Sequence, residues 1–246
     1  MSIFMRLFQD FDNASRGAHR AFTALPDFIK SSLSASGAWV KPCSVLLLAA
    51  FLGSTAWGQS RSGPILVVGD SLSAEYGLRR GTGWVPLLEK QLASENKTAK
   101  VINASISGDT TSGGRSRLAP LLAQHKPGTV VIELGGNDAL RGLPLDMTEQ
   151  NLLAMTQAAK KAGARVLLLG MQVPPNYGSA YGATFTGLFA RVAKAENVPL
   201  VPFFLKGVAD VNDAAALFQS DRIHPNEEAQ ATMLANVWPE LKKLIQ

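Results

Sequence analysis

The chain has 246 residues, 46% of them apolar and 17% charged, with one cysteine and a formal net charge of +5. That length and apolar content suit a folded domain with a sizeable core and exclude an intrinsically disordered chain. The basic residues are scattered rather than gathered into a patch, which argues against nucleic-acid binding, and a lone cysteine excludes an internal disulfide framework.

Residues 1–58 read differently from the remainder. "VLLLAAFLGSTAWG", 45–58, is apolar for about a dozen residues and then turns small, too short for a membrane span of roughly 20 residues. It suits a signal-peptide core followed by a small-x-small cleavage site at Ala56-Trp57-Gly58, with "STA", 54–56, as a second site and an uncleaved anchor as the alternative. Cys43 precedes the apolar run, so it is misplaced for lipid modification of a mature N-terminus. The 40 residues before the run exceed an ordinary leader; a start at Val40 would give the compact, basic "VKPCSVLLLAAFLG". The expected division is therefore a removable extension, 1–58, a catalytic-sized domain, 59–246, and a periplasmic or secreted product without a stable membrane anchor. Removing 1–58 takes away five of the 24 basic and three of the 19 acidic residues, so the net charge falls from +5 to +3.

From residue 64 strands and helices alternate. "PILVVGDS", 64–71, is a continuous apolar run ending in turn residues, as a buried strand requires. "WVPLLEKQLAS", 84–94, has helical periodicity, and "KVINASISG", 100–108, reads as the second strand. A helix is expected at 115–125, interrupted by Pro120. "TVVIELGGND", 129–138, is a third strand with its turn. A helix over 147–163 would be capped by Thr148 and stopped by Gly163. "RVLLLG", 165–170, a helix near 180–196, "VPLVPFF", 198–204, and a last helix over 226–244 complete the chain. This alternation predicts parallel pairing with right-handed crossovers: a three-layer α/β/α, doubly wound, flavodoxin-like domain with a parallel five-stranded sheet. Such folds place their sites outside the carboxyl ends of the strands.

The chemically unusual residues fall at those ends. Ser71 follows the first strand, Gly108 the second and Asn137 the third. Beyond residue 58 only His125 and His224 remain. His125 ends a helix, where it favours the helix dipole. His224 stands before Pro225, which keeps it out of helical conformation and suits the first position of the last helix. Asp221, three residues earlier, can reach back to the imidazole, fix its tautomer and stabilise the imidazolium of acyl transfer. The other ring nitrogen could then activate Ser71, whose hydroxyl is a weak nucleophile on its own. The Ser71 N–H, the Gly108 N–H and the Asn137 amide are three candidate donors for a developing oxyanion. Each residue also has a plain structural reading: Ser71 as a helix N-cap, Gly108 and "GGND" as turns, Asp221 and His224 as exposed loop residues. What favours chemistry is their joint position at equivalent strand ends.

With those residues in view, "GDSLS", "NASISGDT", "GGND" and "DRIHP" together resemble the GDSL (SGNH) hydrolase family, over roughly residues 64–245. "GDSLSAEYG", "GGNDALRGLP", "VPPNYG" and "HPNEEAQ" are similar to its bacterial esterases of the acyl-CoA thioesterase I, lysophospholipase L1 and arylesterase type. The resemblance implies Ser71 as nucleophile, His224 as base, Asp221 as its partner, and Ser71, Gly108 and Asn137 as the oxyanion hole. "GDSLS" departs from the G-x-S-x-G elbow, since Ser73 stands in place of the last glycine. The activity implied is hydrolysis of a small ester or thioester with an apolar acyl or aryl group. Leu78, Leu140, Leu143, Val173, Pro174, Pro175 and Tyr177, on loops near the strand ends, are candidates for its apolar groove. No metal is expected without a His/Cys cluster, and no nucleotide cofactor without a G-x-G-x-x-G turn. A carbohydrate O-deacetylase and a non-catalytic anion-binding module are the alternatives.

Overall fold

The structure, a computed structural model, describes residues 63–245; the expected leader, its cleavage near Gly58 and the division at residue 58 lie outside the described residues. Five strands, β1 (Ile65–Gly69), β2 (Val101–Asn103), β3 (Thr129–Glu133), β4 (Arg165–Leu169) and β5 (Leu200–Val201), form one sheet in the order β2-β1-β3-β4-β5. Every pairing is parallel. β1 and β3 are buried along their whole lengths, because helices cover both faces and leave no position for an outward polar residue. This is the expected fold class, and helix α6 (Gln230–Leu244) packs on α1 (Trp84–Ser94), while α4 (Leu145–Lys161) packs between α2 (Thr111–His125) and α5 (Ser179–Glu196). Trp84, Phe185, Phe189 and Phe204 are fully buried in the core, and each contributes on the order of 2 kcal/mol by leaving water.

Several boundaries differ from the sequence reading, for local reasons. α2 starts at Thr111, four residues early, because the Thr110 hydroxyl caps it by accepting from the Gly113 N–H at 3.3 Å. It runs through Pro120, which lies on the exposed side, where water can satisfy the carbonyl that proline leaves unpaired. Thr148 is not a cap: α4 begins at Leu145 after Pro144, and Thr148 is buried, its hydroxyl 3.3 Å from Asp138 Oδ1. Pro225 does not open the last helix either. It makes an antiparallel bridge with Phe218, Asn226 Oδ1 accepts from the Glu228 and Ala229 N–H groups in a turn, and α6 starts only at Gln230. β2 stops at Asn103, although the chain beyond still donates to β1 from Ala104 N to Val67 O and from Ile106 N to Gly69 O.

The strand order reverses between β1 and β3: the chain leaves β1 to one side for β2, then returns to β1's other side. Loops diverge at such a point and open a crevice above the sheet. The register pairs Gly69 with Glu133, so the chain leaving β1 at Asp70-Ser71 stands beside the chain leaving β3 towards Gly135 and Asn137.

Candidate active site

Ser71 follows β1 on a tight turn. Asp70 Oδ1 accepts from the Leu72 N–H at 3.0 Å, and the Asp70 carbonyl accepts from the Ser73 and Ala74 N–H groups. That turn is one residue past Gly69, where a Cβ would stand 2.7 Å from Glu133 Oε2 and 2.8 Å from Ser73 Oγ; only glycine allows the strand to end so close to them. The result is a half-buried serine at the mouth of the crevice.

The structure brings Ser71, Asp221 and His224 together across 153 residues of chain. His224 Nε2 lies 2.9 Å from Ser71 Oγ. His224 Nδ1 lies 2.7 Å from Asp221 Oδ2. Asp221 Oδ1 accepts from the backbone N–H groups of Ile223 (2.9 Å) and His224 (3.0 Å), so both carboxylate oxygens are engaged. The His224 backbone and side-chain hydrogen bonds hold the Asp221 carboxyl down at about 2, and the group is therefore an anion throughout the neutral range. This fixes the proton of the imidazole on Nδ1 and leaves Nε2 as the acceptor facing the serine. The loop is tied down: Gln219 N donates to the His224 carbonyl at 2.8 Å, and Gln219 Nε2 donates to the Tyr76 and Pro225 carbonyls. The Tyr76 ring lies against the imidazole, centroids 4.4 Å apart.

The three oxyanion candidates follow the carboxyl ends of β1, β2 and β3. Gly108 has φ +77°, in the region open to glycine, and its carbonyl accepts from Arg141 Nη2 at 2.7 Å. Neither the Ser71 nor the Gly108 N–H donates to a protein acceptor among the described residues. Asn137 belongs to a short helix, α3 (Gly136–Leu140), and one of its amide hydrogens goes to Asp70 Oδ2 at 2.9 Å. The second hydrogen on Nδ2 has no protein acceptor among the described residues. Its neighbour Asp138 turns the other way, into the protein, and accepts from Thr111 N (2.8 Å) and Thr111 Oγ1 (2.5 Å) at the start of α2. The "GGND" turn thus gives one residue to the site and one to the scaffold.

The proposed groove residues divide. Val173, Pro174 and Pro175 line an open hollow of about 490 Å³ against the start of α5, which does not include Ser71 or His224. Tyr177 stacks on Tyr181, whose hydroxyl reaches the Ala139 carbonyl at 3.5 Å. Leu140 and Leu143 are exposed beside α3, and Leu78 is half-buried in the loop after Ser71. His125 is the last residue of α2, far along the chain from any of these loops.

Four contributors were not singled out from sequence: Asp70 and Glu133, a buried acidic pair under the nucleophile turn, and two arginines. Arg117, on α2, pairs with Asp109 at 2.8 Å and donates to the carbonyls of Ala104 and Gly69, so it staples the loops after β1 and β2. Arg141 holds Gly108 as described. An acid inside the apolar run "TVVIELGG" was the one available signal; an arginine that serves backbone carbonyls leaves none. Among the described residues no group of three His, Cys, Asp or Glu side chains is arranged to hold a metal ion, and no helix is long and apolar enough to cross a membrane.

Comparison with known proteins agrees with this fold. Residues 67–232, more than half the chain, match the GDSL-like lipase/acylhydrolase family. The chain is 52% identical over 187 residues to esterase TesA of Pseudomonas aeruginosa, covering 76% of this chain and 92% of that protein. It is 39% identical over 207 residues to thioesterase 1/protease 1/lysophospholipase L1 of Escherichia coli, covering 84% and 94%. A crystal structure of the psychrotrophic esterase EstA from Pseudoalteromonas sp., inhibited by monoethylphosphonate, superposes with a TM-score of 0.69 at 40% identity, covering 74% of this chain and 97% of that one.

Proposed function

The chain belongs to the GDSL-like lipase/acylhydrolase family and is a carboxylic ester hydrolase, and on that premise we propose that Ser71, His224 and Asp221 carry its reaction, on esters and thioesters with an apolar acyl or aryl group. Ser71 Oγ attacks the carbonyl carbon as His224 Nε2 takes its proton. The carbonyl oxygen becomes an anion held by the N–H groups of Ser71 and Gly108 and by Asn137 Nδ2. When the tetrahedral adduct collapses, His224 returns the proton to the departing alkoxide or thiolate, and an acyl-enzyme remains on Ser71. Water then enters, His224 takes a proton from it, and the second adduct releases the carboxylic acid and restores the serine. Asp221 stays ionised and steadies the imidazolium formed in each half.

The observation that carries this reading is the unbroken relay, 2.7 Å from Asp221 to His224 and 2.9 Å from His224 to Ser71. Its test is Ser71→Ala with a short p-nitrophenyl ester: turnover is expected to vanish, and wild-type turnover would reject the assignment. A p-nitrophenyl series of increasing acyl length tests the substrate class. Activity that rises with chain length supports an apolar acyl site, whereas preference for acetylated sugars would move the enzyme to carbohydrate deacetylation. The apolar run at 45–58 further supports export and a mature N-terminus at Gln59; N-terminal sequencing of the exported protein tests it, and a product still beginning at Met1 would overturn it.

A further inference from the structure

Glu133 closes β3 inside the protein, 1% exposed, among the residues that pair with β1. Its Oε2 has two donors: the Ser73 hydroxyl at 2.8 Å and the Asp70 N–H at 3.2 Å. The Ser73 hydroxyl in turn accepts from Trp84 Nε1 at 3.1 Å, so its own hydrogen is committed to Glu133. Oε1 is buried with no hydrogen-bond partner among the described residues. Burial first, and then the neighbouring Asp70 carboxyl, push the Glu133 carboxyl well above the usual range. Asp70 accepts from Leu72 N on Oδ1 (3.0 Å) and from Asn137 Nδ2 on Oδ2 (2.9 Å). His224 and Asp109 are the other titratable groups whose charge acts on Asp70, and Arg117 stands on the Gly69 carbonyl one residue away.

We propose that Glu133 is a positioning residue for the oxyanion hole: its Oε2 holds the Asp70 N–H and the Ser73 hydroxyl, and the Asp70 carboxylate anchored in this way dictates which end of the Asn137 amide faces the crevice. An amide against a neutral partner can turn either way, with oxygen or NH₂ forward. Against a fixed carboxylate only the NH₂ end is tolerated, and its second hydrogen is then delivered to the carbonyl oxygen of the substrate. Glu133 touches no reacting atom and acts through two intermediates.

The inference rests on the proposed roles of Ser71 and Asn137, and the experiment separates the two. In the full chain, kcat and KM for a p-nitrophenyl ester are measured for Glu133→Leu, Glu133→Gln and Asp70→Asn, alongside fluorophosphonate labelling of Ser71 and a urea melt. Glu133→Leu and Asp70→Asn are expected to lower kcat by about 10- to 100-fold, short of the 10²–10³ typical of a lost donor, with KM within about threefold. Glu133→Gln, whose amide oxygen can still accept from the Asp70 N–H and the Ser73 hydroxyl, is expected to recover most of the kcat lost in Glu133→Leu. If Glu133→Leu does not fold, the contrast between Glu133→Gln and Asp70→Asn carries the test. The proposal is overturned if Glu133→Gln is as slow as Asp70→Asn, because the acceptor that Gln keeps would then not be what positions Asp70. It is equally overturned if Asp70→Asn keeps wild-type kcat, or if the variants lose stability without losing kcat. Failure of wild-type Ser71 to label would instead reject the underlying catalytic reading.

Discussion

Replacing Asn137 by Asp changes one amide nitrogen to oxygen and leaves the shape intact, so its consequences are almost wholly electrostatic. In the wild type Asn137 Nδ2 donates to Asp70 Oδ2 at 2.9 Å, and Asp70 is 2% exposed. Burial already pushes the Asp70 carboxyl up to about 6, against the lowering by the Leu72 N–H, the Asn137 amide and His224. A second carboxylate at that separation would meet a repulsion of up to about 6 kcal/mol at an effective dielectric of 20. The folded protein avoids it by keeping a proton that the unfolded chain releases near pH 4. Because the folded state then binds more protons than the unfolded one, stability falls as pH rises. The added slope is about 1.4 kcal/mol per pH unit for one extra proton, up to the pH at which the pair finally loses it. Urea denaturation of Asn137→Asp and wild type at pH 5, 6, 7 and 8 measures the difference. The gap in unfolding free energy should widen as pH rises past about 6, where wild-type Asp70 gives up its own proton, and Asn137→Ala, which adds no charge and only removes one donor to Asp70, should widen far less. Both variants should lose about 10²- to 10³-fold in kcat with the oxyanion donor. A gap between Asn137→Asp and wild type that does not change from pH 5 to 8 would refute the buried contact between Asp70 and residue 137.

Asp221→Asn should lower kcat by about 10²- to 10⁴-fold, since Nδ1 loses the anion that fixes its proton. Asp221 is held below its usual range, so its stabilisation is present above about pH 4 and lost as pH falls towards 2; urea midpoints of wild type and Asp221→Asn should converge over that interval, and a constant difference would contradict the depressed carboxyl. Gly69→Ala should cost about 1–3 kcal/mol in urea denaturation, because its Cβ would stand 2.7 Å from Glu133 Oε2 inside a packed core; a change under about 0.5 kcal/mol, ordinary for a surface site, would refute the close approach. Arg117→Met leaves Asp109 largely buried without its cation and should destabilise by about 3 kcal/mol, with slower labelling of Ser71; an unchanged urea midpoint would dismiss the staple.

The fold was legible because β1, β3 and β4 are unbroken apolar runs separated by helical periodicity, and burial on both faces demands that pattern. Ser71, Gly108 and Asn137 could be picked out because each follows a strand, His224 because it precedes a proline, and Asp221 because it stands three residues before that histidine. What stayed hidden depends on contacts between distant segments. Thr148 has the composition of a cap, but Asp138, ten residues away, takes its hydroxyl into the interior. Pro225 suits a helix start, yet the bridge to Phe218 and the Asn226 turn postpone the helix to Gln230. Arg117 looks like an ordinary helix arginine and Arg141 like a loop arginine; that they grip the carbonyls of Gly69, Ala104 and Gly108 follows only from how α2 and the end of α3 approach the strand ends. Glu133 was visible as an acid among apolar neighbours, but its partners, the Asp70 N–H and the Ser73 hydroxyl, follow only from the β1–β3 register.

The most direct test of the account is intact-mass analysis after treatment with a fluorophosphonate, followed by peptide mapping. One adduct per chain on Ser71, formed at the rate at which esterase activity disappears and greatly slowed in His224→Ala, is the predicted result. A protein that goes on hydrolysing esters while Ser71 stays unmodified would contradict it.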